Sequence, residues 1–263
     1  MDLKDFEREQ KRLQPVIRRL RDLSLFGKKL EVSGKENFID SGPNIIVGNH
    51  VGSFKDIAVL FKISSRFLFF TANRMIFSRK DFNTLIRDYL KFSLNELGLF
   101  IDLLLKPWKA PLVDYISRNI PKIGTIPVDL SGGKVSAIGH CQDRLRSGGA
   151  VVLLQGRGKI ESGSANPYIP AFRRGPAVIC FNLMQEGQEV PVTPLAIYRS
   201  HWPVFVPCSI HVKIGAPITI KKFMSADAGH TISLFRKALE DRVRQLFYEL
   251  ITSQSGIAPE FPS

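Results

Sequence analysis

Short apolar runs separated by helix-length segments most restrict how this chain folds. Ile45-Ile46-Val47, within Asn44 to Gly48, and Ala150-Val151-Val152-Leu153-Leu154 carry no polar alternation. A strand reads this way when both of its faces are covered, and helices on the two sides of a largely parallel sheet provide that cover. Leu30-Glu31-Val32, Phe67 to Thr71, Thr125 to Asp129, Pro191 to Tyr198 and His211 to Ile214 read as further strands. Helical patterns fall at 56–63, 80–118, 134–147, 175–184 and 230–252. Ser131-Gly132-Gly133 marks a turn, and Gly148-Gly149 stops the 134–147 helix. The expected fold is α/β: a single domain with a mixed, mostly parallel sheet flanked by helices, and N-terminal amphipathic helices. The expected segments are 1–29 (basic and helical), 30–252 (the α/β domain) and 253–263 (a tail).

Two helical stretches raise a question of surroundings. In residues 1–30, Phe6, Leu13, Val16, Ile17, Leu20 and Leu23 recur at helical spacing, with Arg8, Lys11, Arg12, Arg18, Arg19 and Arg21 between them. Such a helix either packs on the core or lies on an anionic bilayer. Pro15 is expected to break or kink it. The run Leu97 to Leu105, followed by Lys106-Pro107-Trp108-Lys109, is too short to span a bilayer. It reads as a core helix, with an interfacial helix as the alternative.

Charge narrows the partners. The chain has 37 Lys and Arg against 24 Asp and Glu, a net charge of +13 over 263 residues. That surplus suits an anionic membrane surface, a phosphorylated substrate or an acidic carrier, or else a plain basic surface. No nucleic-acid-binding module is recognisable, so a nucleic-acid partner is not expected. Cys141, Cys180 and Cys208 are far apart, which fits a reducing compartment. No signal peptide and no transmembrane helix are expected, which leaves the cytoplasmic face of a membrane as the expected location.

The chemistry concentrates in Asn49-His50-Val51-Gly52-Ser53-Phe54-Lys55-Asp56. A histidine at a strand end and a carboxylate just ahead of a helix share one connection, where α/β proteins build sites. A carboxylate on one ring nitrogen fixes the tautomer and stabilises the imidazolium, so the other nitrogen can take a proton from an alcohol. His50 is the candidate general base and Asp56 its partner.

The motifs occur in an order that resembles the PlsC-type glycerolipid acyltransferases, which include the 1-acylglycerol-3-phosphate acyltransferases. Asn49-His50 to Asp56 is similar to the family's NHxxxxD box, one residue longer here. Gly124-Thr125-Ile126-Pro127-Val128-Asp129 is similar to the second block. Val151 to Gly156 with Pro170-Ala171-Phe172-Arg173-Arg174-Gly175 is similar to the third, and Val190 to Ala196 to the fourth. His211 to Ile218 is similar to the family's ending. Three further departures stand out: Gln155 replaces a glutamate, Arg157 stands one place early, and Leu130 replaces an arginine.

The resemblance implies transfer of a fatty acyl group from acyl-CoA or acyl-carrier protein to the hydroxyl of a lysophospholipid, in phospholipid biosynthesis. His50 and Asp56 would be catalytic. Asn49, Ser53, Gln155, Gly156, Arg157, Lys159, Arg173 and Arg174 would bind substrate. Gly156 and its neighbours are candidate backbone donors to an oxyanion. Arg157, Lys159, Arg173 and Arg174 suit an anion. No cofactor is expected beyond the acyl donor. No metal is expected either, because His140, His201, His211 and His230 lack ligand-like spacing. The departures motivate a second reading, a lipid-binding protein with a degenerate site.

Overall fold

The computed structural model describes residues 3–94, 96–129, 134–160, 166–204 and 206–255. The turn expected at Ser131-Gly132-Gly133, Leu130, and most of the tail lie outside the described residues. In chain order the elements are α1 (Leu3–Ser24), β1 (Lys28–Ser33), β2 (Asn44–Asn49), α2 (Phe54–Ile63), β3 (Leu68–Asn73), α3 (Arg79–Leu94) and α4 (Glu96–Asn119). There follow β4 (Ile126–Val128), α5 (Lys134–Arg146), β5 (Ala150–Gln155), α6 (Gly175–Gln185), β6 (Val192–Tyr198), β7 (Cys208–Ile214) and α7 (Ala228–Ser255). The fold is α/β with a mixed, mostly parallel sheet flanked by helices, as the apolar runs require.

The chain divides into two compact units, Met1–Arg12 with Phe69–His140, and Leu13–Leu68 with Cys141–Ser263.

The larger unit holds five strands in the order β1-β7-β6-β2-β5. β2 is central and parallel to both neighbours, with Ile45 opposite Val151 on one side and Val192 on the other. All six of its residues are buried. β6 and β7 form the antiparallel pair, and β1 joins β7 in parallel. Helix α7 supplies the expected apolar face: Phe235, Leu239, Val243, Leu246 and Phe247 are buried, while Ile232 is half-buried.

In the smaller unit β3 and β4 pair in parallel, Thr71 opposite Ile126. Phe6 meets the Phe69 ring edge-on at 5.6 Å between centroids. The C-terminal half of α4 is pinned by buried Val113 and by Ser117, whose hydroxyl donates to the Ile76 carbonyl at 3.0 Å.

α1 continues through Pro15 without a break. Proline removes one intrahelical hydrogen bond and crowds the preceding turn, but at Leu13, Val16, Ile17 and Leu20 the apolar face is half-buried, and that packing sustains the helix. The run in α4 is not core. Leu97, Phe100, Leu103, Leu104, Leu105 and Trp108 are all exposed. Hydropathy alone does not separate the two cases, because neighbouring elements decide which apolar face is covered.

Phe235 is fully buried and packs against Phe223 at 5.3 Å between ring centroids. Phe235→Ala is expected to lower stability by about 3–5 kcal/mol. Urea unfolding monitored by circular dichroism checks this, and an unchanged midpoint would remove α7 from the core.

Candidate active site

The site grows from the end of β2. Asn49 is fully buried. Its Oδ1 accepts the Ile197 N–H at 2.8 Å, and its Nδ2 donates to the Ile197 carbonyl at 2.9 Å and to the Tyr168 carbonyl at 3.3 Å. The side-chain amide thus stands in for a peptide group and prolongs the β2–β6 ladder one step past its last pair, Gly48 with Leu195. Asn49 was expected to contact substrate; its side-chain hydrogen bonds here go to the backbone and tie the strand end to β6.

His50 follows, and its Nδ1 lies 2.8 Å from Asp56 Oδ2. The same oxygen accepts the N–H groups of Val51 at 3.0 Å and Gly52 at 2.8 Å. An ionised carboxylate oxygen only accepts, so His50 Nδ1 donates and the Nε2 lone pair is left for a substrate proton. The Asp56 side chain is fully buried and that of His50 is 22% exposed. The pair therefore has a sealed end and an open end.

The loop between His50 and α2 carries the extra residue of the box, and within it Ser53 has φ 53° and ψ −128° ahead of α2. Positive φ at a non-glycine residue is strained, and such strain persists only where the surroundings impose it. It sets Asp56 in the first turn of α2, facing back to His50. Gly52 is needed for space. A Cβ there would fall 2.4 Å from Ser200 Oγ and 2.6 Å from Asp56 Oδ1.

The loop after β5 closes over the histidine. The Gly158 N–H donates to the His50 carbonyl at 3.1 Å. That donor is spent on the fold and leaves the set of candidate oxyanion ligands. Gly158 has φ 76°, and a Cβ on it would stand 3.3 Å from His50 Nε2 and 3.0 Å from Ser53 Cα. A side chain at 158 would thus occupy the approach to the basic nitrogen.

Gln155 is buried. Its Oε1 accepts the Arg173 N–H at 2.9 Å and its Nε2 donates to the Leu153 carbonyl at 3.0 Å. It ties the end of β5 to the segment leading into α6. Arg157, Arg173 and Arg174 are exposed, while Lys159 and Ser53 are half-buried. The structure thus brings together His50, Asp56, Ser53 and Gly158, and joins Gln155 to the Arg173 backbone.

A polar group behind the pair was not legible in the sequence. Asp56 Oδ1 and Ser200 Oγ are both buried without a hydrogen-bond partner, as is Nδ1 of His201. Lys55 is 5% exposed, with its ammonium 5.5 Å from the Phe54 ring centre. Burial, then the charge of Lys28, pulls its pKa below the usual lysine range. Burial, then Lys55, likewise holds His201 below the usual histidine range, which keeps that imidazole neutral at pH 7. The available signal was Gly52 itself, since a glycine inside a functional box marks a close approach.

No family model matches the chain, and no curated protein does. Among solved structures it is similar to the 1-acyl-sn-glycerophosphate (LPA) acyltransferase PlsC from Thermotoga maritima. That protein is 17% identical, the match covers 88% of this chain and 79% of that one, and the TM-score is 0.49. At that identity and TM-score the likeness assigns no residue a role.

Thiols make poor nucleophile candidates here. Burial pushes Cys141 up to about 12 and raises Cys180 further. Brief alkylation of the native protein at pH 8 is expected to label half-buried Cys208 and spare Cys141 and Cys180. Peptide mapping checks this. Among the described residues no three His, Cys, Asp or Glu gather as metal ligands. Asn49→Asp, which cannot donate to the Ile197 carbonyl, is expected to cost at least about 1–3 kcal/mol. Chemical denaturation measures it, and a wild-type stability would contradict the clamp.

Proposed function

We propose that this protein is an acyltransferase that moves a fatty acyl group from acyl-CoA or acyl-carrier protein to the hydroxyl of a lysophospholipid presented at a membrane surface. The observation that carries the reading is the His50–Asp56 pair, joined at 2.8 Å with its Nε2 side toward the Gly158 loop. His50 Nε2 takes the proton from the acceptor hydroxyl as its oxygen attacks the thioester carbonyl carbon. The C–S bond then breaks, and the leaving thiolate recovers the proton from the imidazolium. Asp56 holds the tautomer and stabilises the cation between the two transfers. No serine or cysteine nucleophile enters, in keeping with the raised thiols at 141 and 180.

Donor and acceptor are both acidic, which the net charge of +13 favours. Exposed Arg157, Arg173 and Arg174, with Lys159, are the candidate contacts to phosphate on either one. Two features that motivated a degenerate site have structural explanations. The longer box still brings His50 and Asp56 together, and Gln155 makes two hydrogen bonds with the backbone.

Thiol release from palmitoyl-CoA and from acyl-carrier protein, with and without a lysophospholipid panel on liposomes, tests the reading. His50→Ala is expected to reduce acceptor-dependent release by about 10²–10⁴-fold, and Asp56→Asn to reduce it strongly as well. Wild-type rates in His50→Ala would exclude the assigned base. Absence of release with every donor and acceptor would leave the degenerate lipid-binding reading in its place.

A further inference from the structure

Helix α4 bears the densest exposed apolar surface among the described residues. Leu97, Phe100, Leu104, Trp108, Leu112 and Tyr115 recur at spacings of three and four residues and are all exposed, Trp108 at 79%. Residues 103–108 are exposed consecutively, so in the middle of the helix side chains meet solvent on every side. Soluble surfaces rarely leave so large an apolar patch uncovered.

The occupant follows from the helix's own chemistry. A rigid protein partner covers one face of a helix, whereas the boundary of a bilayer takes up apolar side chains in its acyl layer and meets the rest of the helix with headgroups and water. Pro107 and Pro111 lie inside α4 and have no N–H to donate, so the carbonyls of Leu103 and Pro107 lose their intrahelical donors. Hydrocarbon cannot satisfy such groups, but the interfacial region can. Trp108 stands between Lys106 and Lys109, an aromatic and cationic pattern that suits headgroup depth. Lys109 is already paired with Asp102, and Arg118 with Asp114, which offsets those charges on the inserting segment, while exposed Lys106 remains to meet lipid phosphates. No helix of the described residues is long and apolar enough to cross a membrane.

We infer that α4 is an interfacial anchor, laying Leu97, Phe100, Leu104 and Leu112 against the acyl chains of an anionic bilayer with Trp108 at headgroup depth. The inference rests on the membrane-surface reading above but not on the acyl-transfer chemistry. It moves the principal membrane contact from α1, whose apolar face is half-buried, to α4.

The test uses the full chain carrying Trp202→Phe, so that Trp108 is the remaining tryptophan. Its emission is expected to shift to the blue on vesicles containing phosphatidylglycerol, and lipids brominated near the headgroup are expected to quench it most. In flotation, Leu104→Glu with Trp108→Glu is expected to lower vesicle binding more than tenfold. Lys106→Glu alone is expected to weaken binding to anionic vesicles and leave binding to neutral ones little changed. Circular dichroism of each variant confirms folding. Unshifted Trp108 emission together with undiminished binding of the double variant would overturn the inference. So would a concentration-dependent dimer that the double variant dissociates in the absence of vesicle binding. Loss of transfer in His50→Ala does not bear on these readouts, and an inactive protein that still anchors through α4 would fail the function proposal alone.

Discussion

A single carboxylate oxygen organises the centre of this molecule. Asp56 Oδ2 accepts from His50 Nδ1 and from the Val51 and Gly52 N–H groups, in a side chain with no solvent exposure. A buried carboxylate is costly unless donors surround it, and here the box wraps itself around the oxygen to supply them. Two consequences follow along the chain. The backbone must turn sharply enough to aim successive N–H groups inward, and the strained Ser53 completes that turn. Gly52 must carry no side chain, because Asp56 Oδ1 and Ser200 Oγ lie where one would go.

The histidine is placed by the same economy of contacts. Asn49 fastens the strand end from beneath by pairing with Ile197. The Gly158 N–H fixes the His50 carbonyl from above. With its backbone held on both sides and its Nδ1 committed to Asp56, the imidazole is oriented before any substrate arrives. In the proposed function, such preorganisation would let His50 act as a base without a reorganisation cost at the moment of transfer.

What the sequence revealed and what it hid divide along physical lines. Strands β2 and β5 were legible because burial on both faces leaves an unbroken apolar run, and the α7 face because helical period survives in the spacing of its large residues. The pairing of His50 with Asp56 was legible because a base and a carboxylate shared one short connection. The roles of Asn49 and Ser200 were not, since both depend on β6 and the turn after it, about 150 residues away in the chain. The positive φ of Ser53 was hidden because a non-glycine residue carries no local sign of that conformation, which its surroundings impose. The exposure of α4 was hidden because an apolar run reports affinity for a nonpolar environment without saying whether protein or lipid supplies it.

Gln155 shows how a departure from a family pattern can be structural. Its Oε1 accepts from the Arg173 N–H while its Nε2 donates to the Leu153 carbonyl. A carboxylate has no donor, so a glutamate in this geometry would leave the Leu153 carbonyl without that bond. It would also bury a second negative charge at the end of β5, opposite Asn49 at the strand end that leads directly into His50. The amide meets both backbone demands and leaves Asp56 as the carboxylate beside His50. The loss of charge at 155 is therefore consistent with an intact His50–Asp56 pair, because the two sites answer to different constraints: one to the hydrogen bonds of a strand end, the other, in the proposed function, to the handling of a proton.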